Sequence, residues 1–172
     1  MTSENLSIRR ASVVDARSIS RIINEGQGFF FYGTPPYSSE QDWRESIEHS
    51  TVRGQLFLVA ECSGKVIGLA SISTTNCLIR KHTAGFSIIV STAFHRQGVG
   101  RRLVKAVKDM AFNWHAAHRL ELEVMQDNAG AISLYKSEGF SIEGIRREAI
   151  YRNGQYCNIV IMSLLRSDFT GL

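Results

Sequence analysis

Residues Phe94 to Leu103 read FHRQGVGRRL. An apolar run, Phe86 to Val90 (FSIIV), precedes it, and a helical pattern follows. Gly98 and Gly100 stand two apart among Arg96, Arg101 and Arg102. A strand that enters a helix through such a bend leaves the first helical N–H groups without intrahelical acceptors. Those donors and the positive end of the helix dipole favour a phosphate. Glycine lets the backbone approach the ligand, and the arginines add charge. Leu103 stands where a dinucleotide fingerprint needs its third glycine, and no Gly-Lys-Ser/Thr follows, so neither nucleotide motif is present. A plain strand-to-helix turn with solvated arginines has the same pattern.

Working outward, Leu6 to Arg10 alternates as a first strand. Ser12-Val13-Val14-Asp15 has capping-box spacing ahead of Ala16, Ile19, Ile22 and Ile23 at helical intervals, with Gly26 closing that helix. A glycine-, proline- and aromatic-rich loop, GQGFFFYGTPPYSS, leads to a short helix over Ser39 to His49, capped by Ser38 or Ser39. Gln55 to Glu61 and Lys65 to Ser73 flank Ser63-Gly64 as a hairpin, and Thr83 to Val90 is a further strand. Val99 to Trp114 forms a helix with Val99, Leu103, Val107, Met110 and Trp114 on its apolar face. Leu120 to Val124 is a strand and Ala129 to Ser137 a helix. Phe140 to Tyr151 and Gln155 to Leu165 are strands joined through Asn153-Gly154. The order β-α-α-β-β-β-α-β-α-β-β predicts an α/β (α+β-like) domain. Its sheet is mixed and mostly antiparallel, of about seven strands, with one or two parallel crossovers.

The 172 residues suit one domain, 1–172, with one core, and 44% hydrophobic with 21% charged residues is ordinary for a soluble protein. The net charge of +4 is too small and scattered to argue for nucleic acid. Cys62, Cys77 and Cys157 show no paired spacing, so neither a zinc site nor a disulfide framework is expected. No apolar run approaches the ~18 residues of a membrane span, and the polar N-terminus has no signal core. A cytoplasmic protein that binds no membrane is the expectation.

A second block, DNAGAISLYKSEGF (Asp127 to Phe140), lies further along. Together with HRQGVGRRL it resembles the GNAT superfamily of acyl-CoA N-acyltransferases, whose cofactor loop reads Gln/Arg-x-x-Gly-x-Gly/Ala. The family's second signature falls on Asn128, Ala131, Leu134-Tyr135 and Gly139-Phe140. The likeness covers nearly the whole chain. YRNGQYCNIVIM and GTPPYSSEQDW look like a bacterial branch that acetylates free amino acids and related small amines.

The resemblance implies a GNAT fold with helices on both sheet faces, acetyl-CoA as co-substrate, no metal, a small-molecule amine as acceptor and a homodimer. Backbone N–H groups of His95, Arg96, Gln97, Gly98, Val99, Gly100 and Arg101 would cradle the pyrophosphate. Ile88, Ile89 and Val90 would pair with the pantetheine arm, and an N–H near Ile89 or Val90 would polarise the thioester carbonyl. Asn128 would bond the pantetheine portion. Tyr135 would protonate the departing thiolate or hold it, although its spacing from Ile132 is also that of a core aromatic.

Two positions depart from the family pattern. His95 stands where Gln or Arg is usual, and Asn158 stands where the branch often has Asp. The strand Thr83 to Val90 carries no carboxylate for a base; the choices are Glu121, Glu123, His82 or a water chain. Glu121 and Glu123 share one strand face, as a polar wall or as exposed ion-pairing residues. His115 and His118 have ligand-like spacing but no third ligand, and histidines ending a helix are favoured by its dipole. An apolar cluster must pack down or line a pocket, and the resemblance implies that the aromatic loop lies over the acceptor, with Phe31, Tyr32, Thr34 and Tyr37, and Glu123 beside them, as candidate contacts. Rival functions are acetylation of a protein N-terminus, of lysine or of a polyamine, and non-catalytic sensing of acyl-CoA.

Overall fold

The computed structural model describes residues 6–25, 37–169 and Gly171. Its seven strands are β1 (Leu6–Arg10), β2 (Gln55–Cys62), β3 (Lys65–Thr74), β4 (Thr83–Val90), β5 (Arg119–Met125), β6 (Ser141–Arg152) and β7 (Gln155–Leu165). They form one open sheet in the order β1-β2-β3-β4-β5-β7-β6. Every neighbouring pair is antiparallel except β4 and β5, which run parallel. Four α-helices accompany the sheet among the described residues: α1 (Ala16–Asn24), α2 (Glu40–Glu48), α3 (Val99–Asp109) and α4 (Ala129–Ser137). The predicted order of elements holds.

The two hairpin turns follow from their residues. Ser63-Gly64 and Asn153-Gly154 each place both residues at positive φ, the conformation that matches the twist of paired strands. Ser39, not Ser38, caps α2: its hydroxyl accepts from Asp42 N at 3.1 Å, and Asp42 Oδ2 accepts from Ser39 N at 2.7 Å. At the sheet's far edge, β6 begins one residue after Phe140 and is interrupted near Glu148, at φ 51°.

Alternation along the strands splits the core in two. Ala84 and Phe86 of β4, with Leu120, Leu122 and Val124 of β5, pack against Leu103, Val104 and Val107 of α3 and Tyr135 of α4. On the opposite face Val59, Leu69 and Ile89 pack against Ile19, Ile22 and Ile23 of α1 and Trp43 of α2. Helices therefore cover both faces, but α1 and α2 lie over the β1–β4 half of theirs.

One predicted element changes character. The helix starting at Val99 is α-helical only to Asp109 and continues to Trp114 as a π-turn, with His115 N bonded to Met110 O at 2.9 Å. The extra residue in that turn rotates the face that follows it. Ala111 and Phe112 are buried, whereas Trp114, expected on the apolar face, is 74% exposed.

Candidate active site

The parallel ladder between β4 and β5 is short. It pairs Thr83 with Arg119, Ala84 with Leu120 and Gly85 with Glu121, and ends there, while β4 runs on to Val90 and β5 to Met125. Ser91 N bonds Ile67 O on β3 at 2.9 Å, and the β3–β4 register is unbroken from Gly68↔Val90 to Thr74↔Ala84. Antiparallel alternation then turns the backbone groups of Ser87 and Ile89 toward β3, and those of Phe86, Ile88 and Val90 toward the gap. The sheet thus carries an unpaired inner edge beside an opening.

That edge leads to the bend. Arg96 (φ 60°) and Gly98 (φ 82°) are both left-handed, and Gly98 is the N-cap of α3. A Cβ on Gly98 would meet nothing within 4 Å, so glycine serves the backbone angle there. Gly100 serves close packing instead: its Cβ would lie 3.2 Å from Leu134 Cδ2. The helical ladder opens with Arg102 N on Gly98 O at 3.1 Å, so the N–H groups of Val99, Gly100 and Arg101 precede the first intrahelical acceptor. His95 Nε2 donates to Val90 O at 2.9 Å, and Gln97 Nε2 to Ala93 O at 3.1 Å.

The three arginines have separate duties. Arg101 reaches α4, bonding Ser137 Oγ at 3.1 Å and pairing with Glu138 at 3.2 Å. Arg102 bonds the Leu6 carbonyl. Arg96 has no ion pair or side-chain hydrogen bond among the described residues, and its Nη2 lies 3.7 Å from the Cβ position of Gly130, in the first turn of α4. Of the bend's three arginines, it is the one with no such partner among the described residues.

Tyr135 is 5% exposed, edge-on to Phe86 with centroids 5.8 Å apart and to Phe140 at 5.9 Å. Its ring belongs to the core, and the same packing holds it against β4 beside the gap. Asn128 is the N-cap of α4: its Oδ1 accepts from Ala131 N at 3.1 Å.

On the face that α1 and α2 cover only in part, a pocket of about 590 Å³ lies over the last rungs of the β4–β5 ladder. Its lining includes Ser71, Ser87, Arg80, Arg119, Glu121, Glu123 and Glu143. Arg119 bonds Glu121 Oε2 at 2.9 Å and grips both oxygens of Glu143, the first at 2.7 Å. Glu143 also accepts from Ser163 Oγ at 2.7 Å. Arg119 first and Ser163 second hold the Glu143 carboxyl down at about 2, while the carboxylates push the Arg119 guanidinium up. Arg80 Nη2 bonds Glu121 Oε1 at 2.9 Å, and Arg146 pairs with Glu123.

A family model described as "Acetyltransferase (GNAT) family" matches residues 19–140, which span the bend, the gap and most of the pocket. The chain belongs to the GNAT family of acetyltransferases. The L-amino acid N-acetyltransferase AaaT of Escherichia coli K12 is 32% identical over 159 residues, covering 92% of this chain and 97% of that protein. The spermidine N(1)-acetyltransferase of the same organism is 25% identical over 169 residues, covering 98% of this chain and 90% of the other. A solved structure of the Vibrio cholerae spermidine N-acetyltransferase in complex with CoA and spermine matches with a TM-score of 0.84 at 27% identity, covering 96% of this chain and 98% of that one.

In this GNAT chain the two sequence signatures meet in space, the bend at the N-terminus of α3 beside the first turn of α4. Ile88 and Val90 turn their backbone to the gap, and Ile89 turns its backbone to β3. Glu121 and Glu123 share the pocket face, each in an ion pair. Tyr37 is 91% exposed; Phe31, Tyr32 and Thr34 lie outside the described residues. The rings of His82 and His118 are 6.5 Å apart, and no group of three ligating side chains forms among the described residues.

Asn158 accepts from Glu148 N at 2.9 Å and donates to Gln126 Oε1 at 2.8 Å, stapling the irregular β6 to the end of β5. An aspartate could not donate the second bond. Sequence reasoning missed Arg80, Arg119 and Glu143 as pocket residues. For Arg119 the strand alternation that placed Glu121 and Glu123 carried the signal; for Arg80 and Glu143, which come from a turn and from β6, no local signal existed.

Proposed function

We propose that this N-acetyltransferase moves the acetyl group of acetyl-CoA to the primary amine of a small molecule, an amino acid or a near relative. The observation that carries the reading is the β4 edge that no strand pairs from Phe86 to Val90, leading directly into the Gly98 bend. Acetyl-CoA supplies a thioester whose carbonyl carbon takes the amine. The N–H groups of Val99, Gly100 and Arg101, with Arg96, hold its pyrophosphate. Ile88 and Val90 bond the amides of its pantetheine arm, and one of their N–H groups polarises the thioester carbonyl. Asn128 contributes through Nδ2, its Oδ1 being engaged by the cap.

The acceptor enters from the pocket face. The N–C bond forms as the C–S bond breaks, the amine nitrogen releasing its proton and the sulfur taking one from the Tyr135 hydroxyl, which solvent restores. Glu121, Glu123 and Glu143 each already face an arginine, which favours water as the acceptor of the amine proton.

Spermidine is the second reading, favoured by the spermidine acetyltransferases among the relatives. Release of free thiol from acetyl-CoA is the test, run over amino acids, spermidine and a peptide with a free N-terminus, with product masses read for one added acetyl group. Release with amino acids is expected. Release with spermidine alone moves the reading to polyamines, and tight CoA binding without release to any amine overturns it in favour of a sensor.

A further inference from the structure

The pocket holds two arginines in unequal states. Arg119 spends Nε, Nη1 and Nη2 on Glu121 and Glu143, and its side chain is 22% exposed. Arg80 stands on the short helical turn Leu78–Arg80 between β3 and β4, is 60% exposed, and among the described residues makes one side-chain hydrogen bond, from Nη2 to Glu121. The rest of its exposed side chain lines the pocket wall. Glu121 in turn is held on two sides, Oε2 by Arg119 and Oε1 by Arg80 at 2.9 Å. The Arg80 contact is therefore the exchangeable half of an otherwise fixed cluster.

We infer that Arg80 and Glu121 form a clamp for a zwitterionic acceptor, with the acceptor's carboxylate on Arg80 and its ammonium on Glu121. This rests on the amino-acid reading above and names the residue that selects for it. An α-amino acid carries its ammonium and its carboxylate on the same carbon, so it fits between partners that otherwise touch. Its entry exchanges one protein ion pair for two, each charge-assisted. Glu121 faces Gly85 on the last rung of the β4–β5 ladder, so an amine seated there lies at the mouth of the gap. Ser87 and Glu123 continue the same face toward the unpaired edge. A polyamine has ammonium groups for Glu121 and Glu123 but nothing to offer Arg80, whose charge then opposes it. Selectivity thus comes from a repulsive element as well as an attractive one.

The test compares three acceptors, namely the L-amino acid that the wild-type enzyme turns over best, its amide and its decarboxylated amine. Arg80→Gln is expected to lower kcat/KM for the amino acid on the order of 10- to 100-fold, the scale of a charge-assisted hydrogen bond, mostly through KM. The amide and the amine are expected to lose far less, so the preference for a free carboxylate collapses, and Arg80→Lys restores part of it. Thermal melting checks that the exposed position leaves the fold intact. Equal losses for all three acceptors, or a preference that survives Arg80→Gln, overturns the clamp while the amino-acid reading stands. A wild-type enzyme that acetylates spermidine and no amino acid overturns both.

Discussion

Gly98 and Gly100 look alike in the sequence and differ in what they do. Gly98 supplies a left-handed backbone at φ 82°, in open space. Gly98→Ala is expected to cost about 1–2 kcal/mol, the penalty of a Cβ in that region, and to weaken CoA affinity by tilting the first N–H groups of α3. Denaturant unfolding and CoA titration of one variant measure the two effects. Asn128 is a helix cap first: Asn128→Ala is expected to lose about 1 kcal/mol of stability whether or not cofactor is present. Tyr135, the proposed acid, is packed into the core. Because Phe keeps the ring against Phe86 and Phe140, Tyr135→Phe is expected to fold normally and to lower kcat by about 10²-fold if the hydroxyl protonates the thiolate. Unchanged turnover across the pH range removes that role.

At the scale of elements, α3 and α4 are bolted together by charge. Lys108, 7% exposed, pairs with Glu138 at 2.7 Å, and Arg101 reaches the same carboxylate at 3.2 Å. This brace fixes the bend that opens α3 relative to the helix that carries Asn128 and Tyr135. Glu138→Gln leaves Lys108 buried without a counter-charge and is expected to cost about 3–5 kcal/mol. Lys108→Met is expected to cost less, since Glu138 keeps Arg101; melting temperatures rank the two. None of this is legible locally, because Lys108 and Glu138 are 30 positions apart. The periodicity that located α3 also misplaced Trp114, since a π-turn changes the phase without changing the pattern.

Across the whole molecule, carboxylates held by arginines shape the response to acid, one pair joining two strands and another tying β1 to the turn ahead of α1. Arg119 of β5 holds Glu143 of β6 at about 2, against an ordinary 4.5. Arg9 of β1 lowers Asp15 ahead of α1. Both are lowered on folding, so their stabilisation is present above the ordinary carboxylate range and is lost as pH falls through the folded-state values. The stability gap between wild type and Glu143→Gln is expected to be widest above pH 4.5 and to close toward pH 2 in urea titrations run at each pH.

The order of the elements, both hairpins, the glycine bend and the family were legible in the sequence, because each rests on a local pattern: alternation, helical spacing, turn residues and a short motif. Only the tertiary structure decided which charges meet. It ended the β4–β5 ladder at Gly85 and Glu121, turned Ile88 and Val90 rather than Ile89 to the gap, and spent Arg101 and Arg102 on neighbouring elements while leaving Arg96. It also brought Arg80 from a turn to Glu121 on a strand, 41 positions away. Ion pairing depends on distance in space, and a linear pattern carries that distance only between neighbours in the chain.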